Sequence, residues 1–207
     1  MNILKRAYCG FWEWLEEEPT GRQYWKFLFK SWLIFLAYGV LFGIIILIYK
    51  EKANSPTPDT FDWRFGKLAD NLFFLSPAIF LITVIVLTSL EELIFRWLPL
   101  LAGVKIFGRS ALTLITAISS SVIFGWLHGV SYPDHLKVFL FILLQGVLGF
   151  WLCLVYLKCG SFYKHNLKAL FSSLAIHLSY NILSLGIVYM IISFYPDEFL
   201  KMSDKIF

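Results

Sequence analysis

Five apolar runs, Ser31 to Tyr49, Leu72 to Leu90, Ala111 to Leu127, Val138 to Leu157 and Leu170 to Tyr195, dominate the chain. Each comes close to the ~20 residues that a helix needs to cross the hydrocarbon core of a bilayer. A backbone in hydrocarbon has to satisfy its own hydrogen bonds, and runs of this length do so as helices. The reading that follows is an all-α, polytopic integral membrane helical bundle of about five transmembrane helices, within a range of about four to six.

Composition closes off the soluble alternatives. The chain is 58% hydrophobic and 15% charged, with a mean hydropathy of +0.70, more apolar surface than a water-soluble domain of 207 residues can bury. No polar stretch beyond the first thirty residues is long enough to form a separate core. The net charge of +4 is spread between the apolar runs rather than gathered into a stripe, so nucleic acid is not a predicted partner; membrane lipid is. Cys9, Cys153 and Cys159 show no C-x-x-C spacing and read as structural.

Three regions follow. Residues 1–30 read as an amino-terminal interfacial or cytoplasmic segment, because Trp12, Trp14, Tyr24 and Trp25 alternate with charges. Residues 31–195 form the bundle, and residues 196–207 a short tail. Glu16, Glu17 and Glu18 stand ahead of the first apolar run where a cleaved signal peptide would be basic, so the first span is read as retained. The two prolines of Ala53 to Thr60 mark a loop. Alternating the loops across the membrane puts 11 of the 18 Lys and Arg on the amino-terminal side and 7 on the other, which favours a cytoplasmic amino terminus.

An ionisable side chain near the bilayer centre costs roughly 2.5 to 3.5 kcal/mol on insertion scales, so each one inside an apolar run needs a partner or a function. Glu91-Glu92-Leu93-Ile94-Phe95-Arg96 continues the second run, and Glu92 and Arg96, four apart, share a helical face and can pair. Glu91 lies about 100° round the helix without that partner, as a general base or a metal ligand would. Phe124 and His128 share a face at the end of the third run, where Gly129 can stop the helix. His177 and Asn181 are one turn apart in the last run. His135 and His165, beside Asp134 and Lys164 in short loops, are explained by solvation.

Taken in order, E-E-x-x-x-R, F-x-x-x-H and H-x-x-x-N on successive membrane helices resemble the signature of the CPBP intramembrane proteases, which include CAAX prenyl endopeptidases and bacteriocin-processing or immunity proteins. The resemblance spans about Leu72 to Ile192. It implies a peptidase acting on a membrane-associated, prenylated or leader-bearing polypeptide. Glu91, His128, His177 and Asn181 would be its catalytic groups, with Glu92, Arg96 and Phe124 in support. It also implies a possible divalent metal such as zinc on Glu91, His128 and His177, since a carboxylate with two imidazoles is a catalytic zinc set. Rival protease signatures are absent: there is no H-E-x-x-H, and no paired aspartates lie in apolar runs. A catalytically silent scaffold or immunity-like protein and a small transporter are the alternative classes, the latter weakened by the lack of an internal repeat. One geometric difficulty is visible in advance. With a turn at Gly103 to Gly108 and the preceding helix ending near Ala102, Glu91 and His128 would differ in depth by roughly 13 Å.

Overall fold

The computed structural model describes residues 3–53, 77–129, 135–162 and 165–194, and these are all-helical. In chain order the helices are α1 (Ile3–Glu16), α2 (Gly21–Ala53), α3 (Pro77–Glu92), α4 (Leu98–Phe107), α5 (Ala111–Gly129), α6 (His135–Tyr156) and α7 (Asn166–Phe194). A single π-helical turn, Leu93–Trp97, joins α3 to α4, and a second, Leu157–Ser161, follows α6. The loop expected after Ala53 and the tail after Tyr195 lie outside the described residues. Among those residues, two helical stretches are long and apolar enough to cross a membrane, Ala111–Gly129 and Val138–Gly160.

Helix α6 is the centre of the bundle. Leu152, Val155 and Tyr156, with Leu157 at the start of the π-turn that follows, are fully buried, and the two sides of α6 feed two apolar clusters. On one side Cys153, Leu154, Tyr156 and Leu157 meet Leu100 of α4, Ala117 of α5, Ala169 of α7 and, from α1, Trp12 and Leu15. On the other, Leu148, Leu152 and Val155 meet Leu28 and Phe35 of α2 and Ile176 of α7. The three cysteines are free thiols, Cys153 and Cys159 being buried core side chains.

Helices α5 and α6 approach each other backbone to backbone. A Cβ on Gly125 would stand 2.8 Å from the Gly146 nitrogen and 2.9 Å from the Ile142 Cα, so only glycine lets the two backbones touch. Ala117, Ser121, Gly125 and Gly129 recur every fourth residue and form a stripe of small side chains on α5, the pattern that packs helices tightly where no hydrophobic effect drives them together.

The amino-terminal segment divides at Pro19 and Gly21, the latter with φ +49°, into α1 and the start of α2. Helix α1 docks on the bundle. Lys158 donates from Nζ to the carbonyls of Trp14 and Glu17, the latter at 3.0 Å, and lies 4.5 Å above the Trp14 ring. A cation there meets the unpaired carbonyls and the negative end of the α1 dipole. Glu18 pairs with Lys168 and, at 3.4 Å, with His165. Of the two histidines assigned to loops, His165 precedes α7, whereas His135 is the first residue of α6; both are exposed.

Candidate active site

The depth difficulty disappears because α4 runs on to Phe107. Gly108, with φ +56°, makes the turn, and Gly103 remains helical with its Cα face against Thr116. Glu91 is then 16 residues before the end of α4 and His128 is 17 after the start of α5, about 24 and 26 Å from the turn at 1.5 Å per residue. The helix end expected near Ala102 was too early: Gly103 serves helix packing, and the positive φ falls at Gly108.

Immediately after the glutamates the helix widens. The Leu98 N–H bonds to the Leu93 carbonyl five residues back, and Pro99 has no N–H for the Phe95 carbonyl four back. Ser120 of α5 supplies the missing donor, its Oγ 2.5 Å from that oxygen. The proline thus frees a carbonyl inside the helix, and the neighbouring helix claims it. π-turns of this kind recur at functional sites.

Around this turn the predicted residues form two layers. The inner layer is sealed. Glu92 and Arg96 are 0% exposed, paired at 3.5 Å, and the guanidinium stacks on the Phe124 ring with 4.1 Å to its centroid. Glu92 also accepts a 2.8 Å hydrogen bond from His177 Nδ1. The outer layer is reachable: the side chains of Glu91 and His128 are 31% and 35% exposed. Glu91 turns one carboxylate oxygen to each imidazole, Oε2 lying 3.6 Å from His177 Nε2 and Oε1 4.0 Å from His128 Nε2. Asn181, one turn beyond His177, donates from Nδ2 to Thr88 Oγ1 at 2.9 Å.

The hydrogen bonds assign the imidazole protons. His128 Nδ1 lies 2.8 Å from the Phe124 carbonyl, which only accepts, so Nδ1 carries the proton and the neutral ring presents a lone pair at Nε2. The carboxylate of Glu92, paired with Arg96, imposes the same tautomer on His177. Both lone pairs converge on Glu91. Separations of 3.6 and 4.0 Å exceed a direct hydrogen bond, so the carboxylate faces both rings without bonding to either. In kind, Glu91, His128 and His177 are the donors of a catalytic zinc site. Two ligands of one tetrahedral zinc are about 3.3 Å apart, closer than these, and among the described residues no three His, Cys, Asp or Glu side chains are gathered tightly enough to hold a metal.

The structure therefore brings together Glu91, His128 and His177, backs them with Glu92, Arg96 and Phe124, and places Asn181 one helical turn away. Thr88 and Ser120 were not singled out from sequence. Thr88 carries a usable signal, a hydroxyl one turn before the glutamates on their own helix; Ser120 carries none, because its partner is a carbonyl that only Pro99 leaves free.

An all-helical bundle that holds a glutamate between two imidazoles is the class of arrangement the structure defines. Comparison with known families narrows this class: residues 73–183, more than half of the chain and including all three motifs, match the family described as Type II CAAX prenyl endopeptidase Rce1-like. The chain belongs to that family of membrane-embedded peptidases. No curated protein and no solved structure matches it.

Proposed function

We propose that this protein is an intramembrane endopeptidase in which Glu91, with His128, activates a water molecule against the peptide bond of a membrane-associated polypeptide. The observation that carries this reading is the Glu91 carboxylate, which turns one oxygen toward each of two imidazole nitrogens, at 3.6 and 4.0 Å. A water held there gives its proton to Glu91 as its oxygen bonds to the carbonyl carbon. The same proton goes to the amine nitrogen as the C–N bond breaks. Asn181 donates a neutral hydrogen bond to the developing oxyanion. His177, held at Nδ1 by Glu92, is the second group assigned to the oxyanion in this reading, and it donates from Nε2 only in its doubly protonated form. The substrate class consistent with the family is a prenylated or leader-bearing chain, and Leu90 and Ile94, exposed apolar side chains on either side of Glu91 in the chain, offer it apolar surface near the site.

The proposed membrane arrangement has spans at α2, α3 with α4, α5, α6 and α7, and a cytoplasmic amino terminus. The first test compares peptides released from membranes of cells producing the normal protein or Glu91→Gln, which keeps the shape and removes the base. Loss of a general base lowers turnover by about 10²- to 10⁴-fold, so specific fragments should disappear in the variant. Identical peptide sets from two folded, abundant proteins would end the peptidase reading and leave a silent scaffold in its place. Stoichiometric metal in active enzyme, lost with activity on chelation, would replace general-base chemistry by zinc chemistry on Glu91, His128 and His177.

A further inference from the structure

Among the described residues, the hydroxyl of Thr88 is the one polar group on α3 outside the glutamate pair that reaches a candidate catalytic side chain. Thr88 is 2% exposed and precedes Glu91 and Glu92 by one helical turn. On the same helix Thr83 and Ser89 bond back to carbonyls four residues earlier, Ile79 at 2.9 Å and Ile85 at 2.7 Å. Thr88 instead receives Asn181 Nδ2 from α7 at 2.9 Å. Helices α3 and α7 run antiparallel here. Glu92 contacts His177, and one turn earlier on α3 Thr88 contacts Asn181 one turn later on α7. The two contacts are successive rungs of one ladder.

An Asn carboxamide can present either its oxygen or its nitrogen to a substrate, and the two have opposite effects on an oxyanion. Nδ2 carries two hydrogens. With one of them given to Thr88, the amide plane is fixed and the second hydrogen is held in a set direction. Donors aligned before the reaction stabilise charge without reorganising, and a freely turning amide does not.

We propose that Thr88 is a positioning residue for Asn181, acting through that hydrogen bond and not by touching substrate. The assignment rests on the oxyanion role given to Asn181 above. The experiment uses full-length protein in detergent or bilayers and, as a quenched fluorogenic peptide, a sequence found in the released-peptide comparison. Thr88→Val keeps the shape and removes the acceptor, and Thr88→Ser keeps the hydroxyl. The expected result is a kcat about tenfold lower for Thr88→Val at nearly unchanged KM and thermal midpoint, with Thr88→Ser restoring most of the rate. In an Asn181→Ala background, itself slowed by about 10²- to 10³-fold, Thr88→Val should add nothing.

An undiminished rate for Thr88→Val, or the same tenfold loss with and without Asn181, would overturn the assignment while leaving the peptidase reading intact. So would a fall in thermal midpoint that Thr88→Ser shares, because that marks a packing role. Failure of the peptidase reading looks different: Glu91→Gln and Asn181→Ala would then cleave as well as the normal protein. Should Thr88→Val not accumulate, Thr88→Cys, which keeps the size and weakens the acceptor, takes its place with the same criteria.

Discussion

Arg96 shows how one buried residue supports several others. Its charge is met by Glu92 and by the face of Phe124, with no further hydrogen-bond partner for its nitrogens among the described residues. Glu92, held in this way, orients His177, and His177 faces Glu91. Removing one member of a buried ion pair leaves the other uncompensated, at a cost of about 3 to 5 kcal/mol. Arg96→Met should therefore unfold the protein at markedly lower denaturant or temperature, read by a shift of the unfolding midpoint in detergent. The double change Glu92→Leu with Arg96→Met should recover much of that stability yet remain inactive, because His177 loses its Nδ1 acceptor. At this scale the sequence was largely legible, since four-residue spacing alone pairs Glu92 with Arg96 and sets Glu91 apart. That each oxygen of Glu91 faces a different histidine required three helices to be placed.

Among elements, the connection from α3 to α4 and the α5–α6 contact decide whether the site assembles. The Phe95 carbonyl accepts from Ser120 in a part-buried contact, and a carbonyl shut away from water without a donor costs about 1 to 3 kcal/mol. Ser120→Ala is expected to lower stability by that amount, measured as the unfolding midpoint, and to lower the activity of the molecules that remain folded. Gly125 has no room for a side chain against Gly146 and Ile142. Gly125→Val should force α6 away from α5 and cost at least the 1 to 3 kcal/mol typical of overpacking. Its measurable consequence is loss of folded protein in size-exclusion of detergent extracts. The small-residue stripe is visible in the sequence as a four-residue repeat. The π-turn is not, because apolar periodicity around Pro99 is the same for a kinked and an unkinked helix.

In the whole molecule, α1 is tied to the α6–α7 junction by Lys158 and by the cluster of Glu18, His165 and Lys168. Burial by itself would raise the Glu18 carboxyl. The Lys168 and His165 hydrogen bonds and charges outweigh it and hold the group below its ordinary value of 4.5. A carboxyl depressed in the folded state stabilises the docked form fully above that ordinary value, and the contribution is lost as pH falls through the folded one. Cleavage by added protease at the Glu17 to Thr20 link should accordingly increase below about pH 4.5, and Lys168→Met should shift the increase to higher pH. Reporter fusions at both ends test the orientation: an external amino terminus would reverse the arrangement drawn from the distribution of Lys and Arg.

The sequence alone determined the helical class and the identity of the polar groups within the apolar runs, because chain-local quantities, run length and helical spacing, carry both. Burial of Trp12 and Leu15, which makes α1 part of the bundle, depended on surfaces far away in the chain. So did the depth match of Glu91 and His128, which turns on Gly108 rather than Gly103 bending the backbone. Only the packed helices decided these points, since each is a contact between segments whose separation no local pattern encodes.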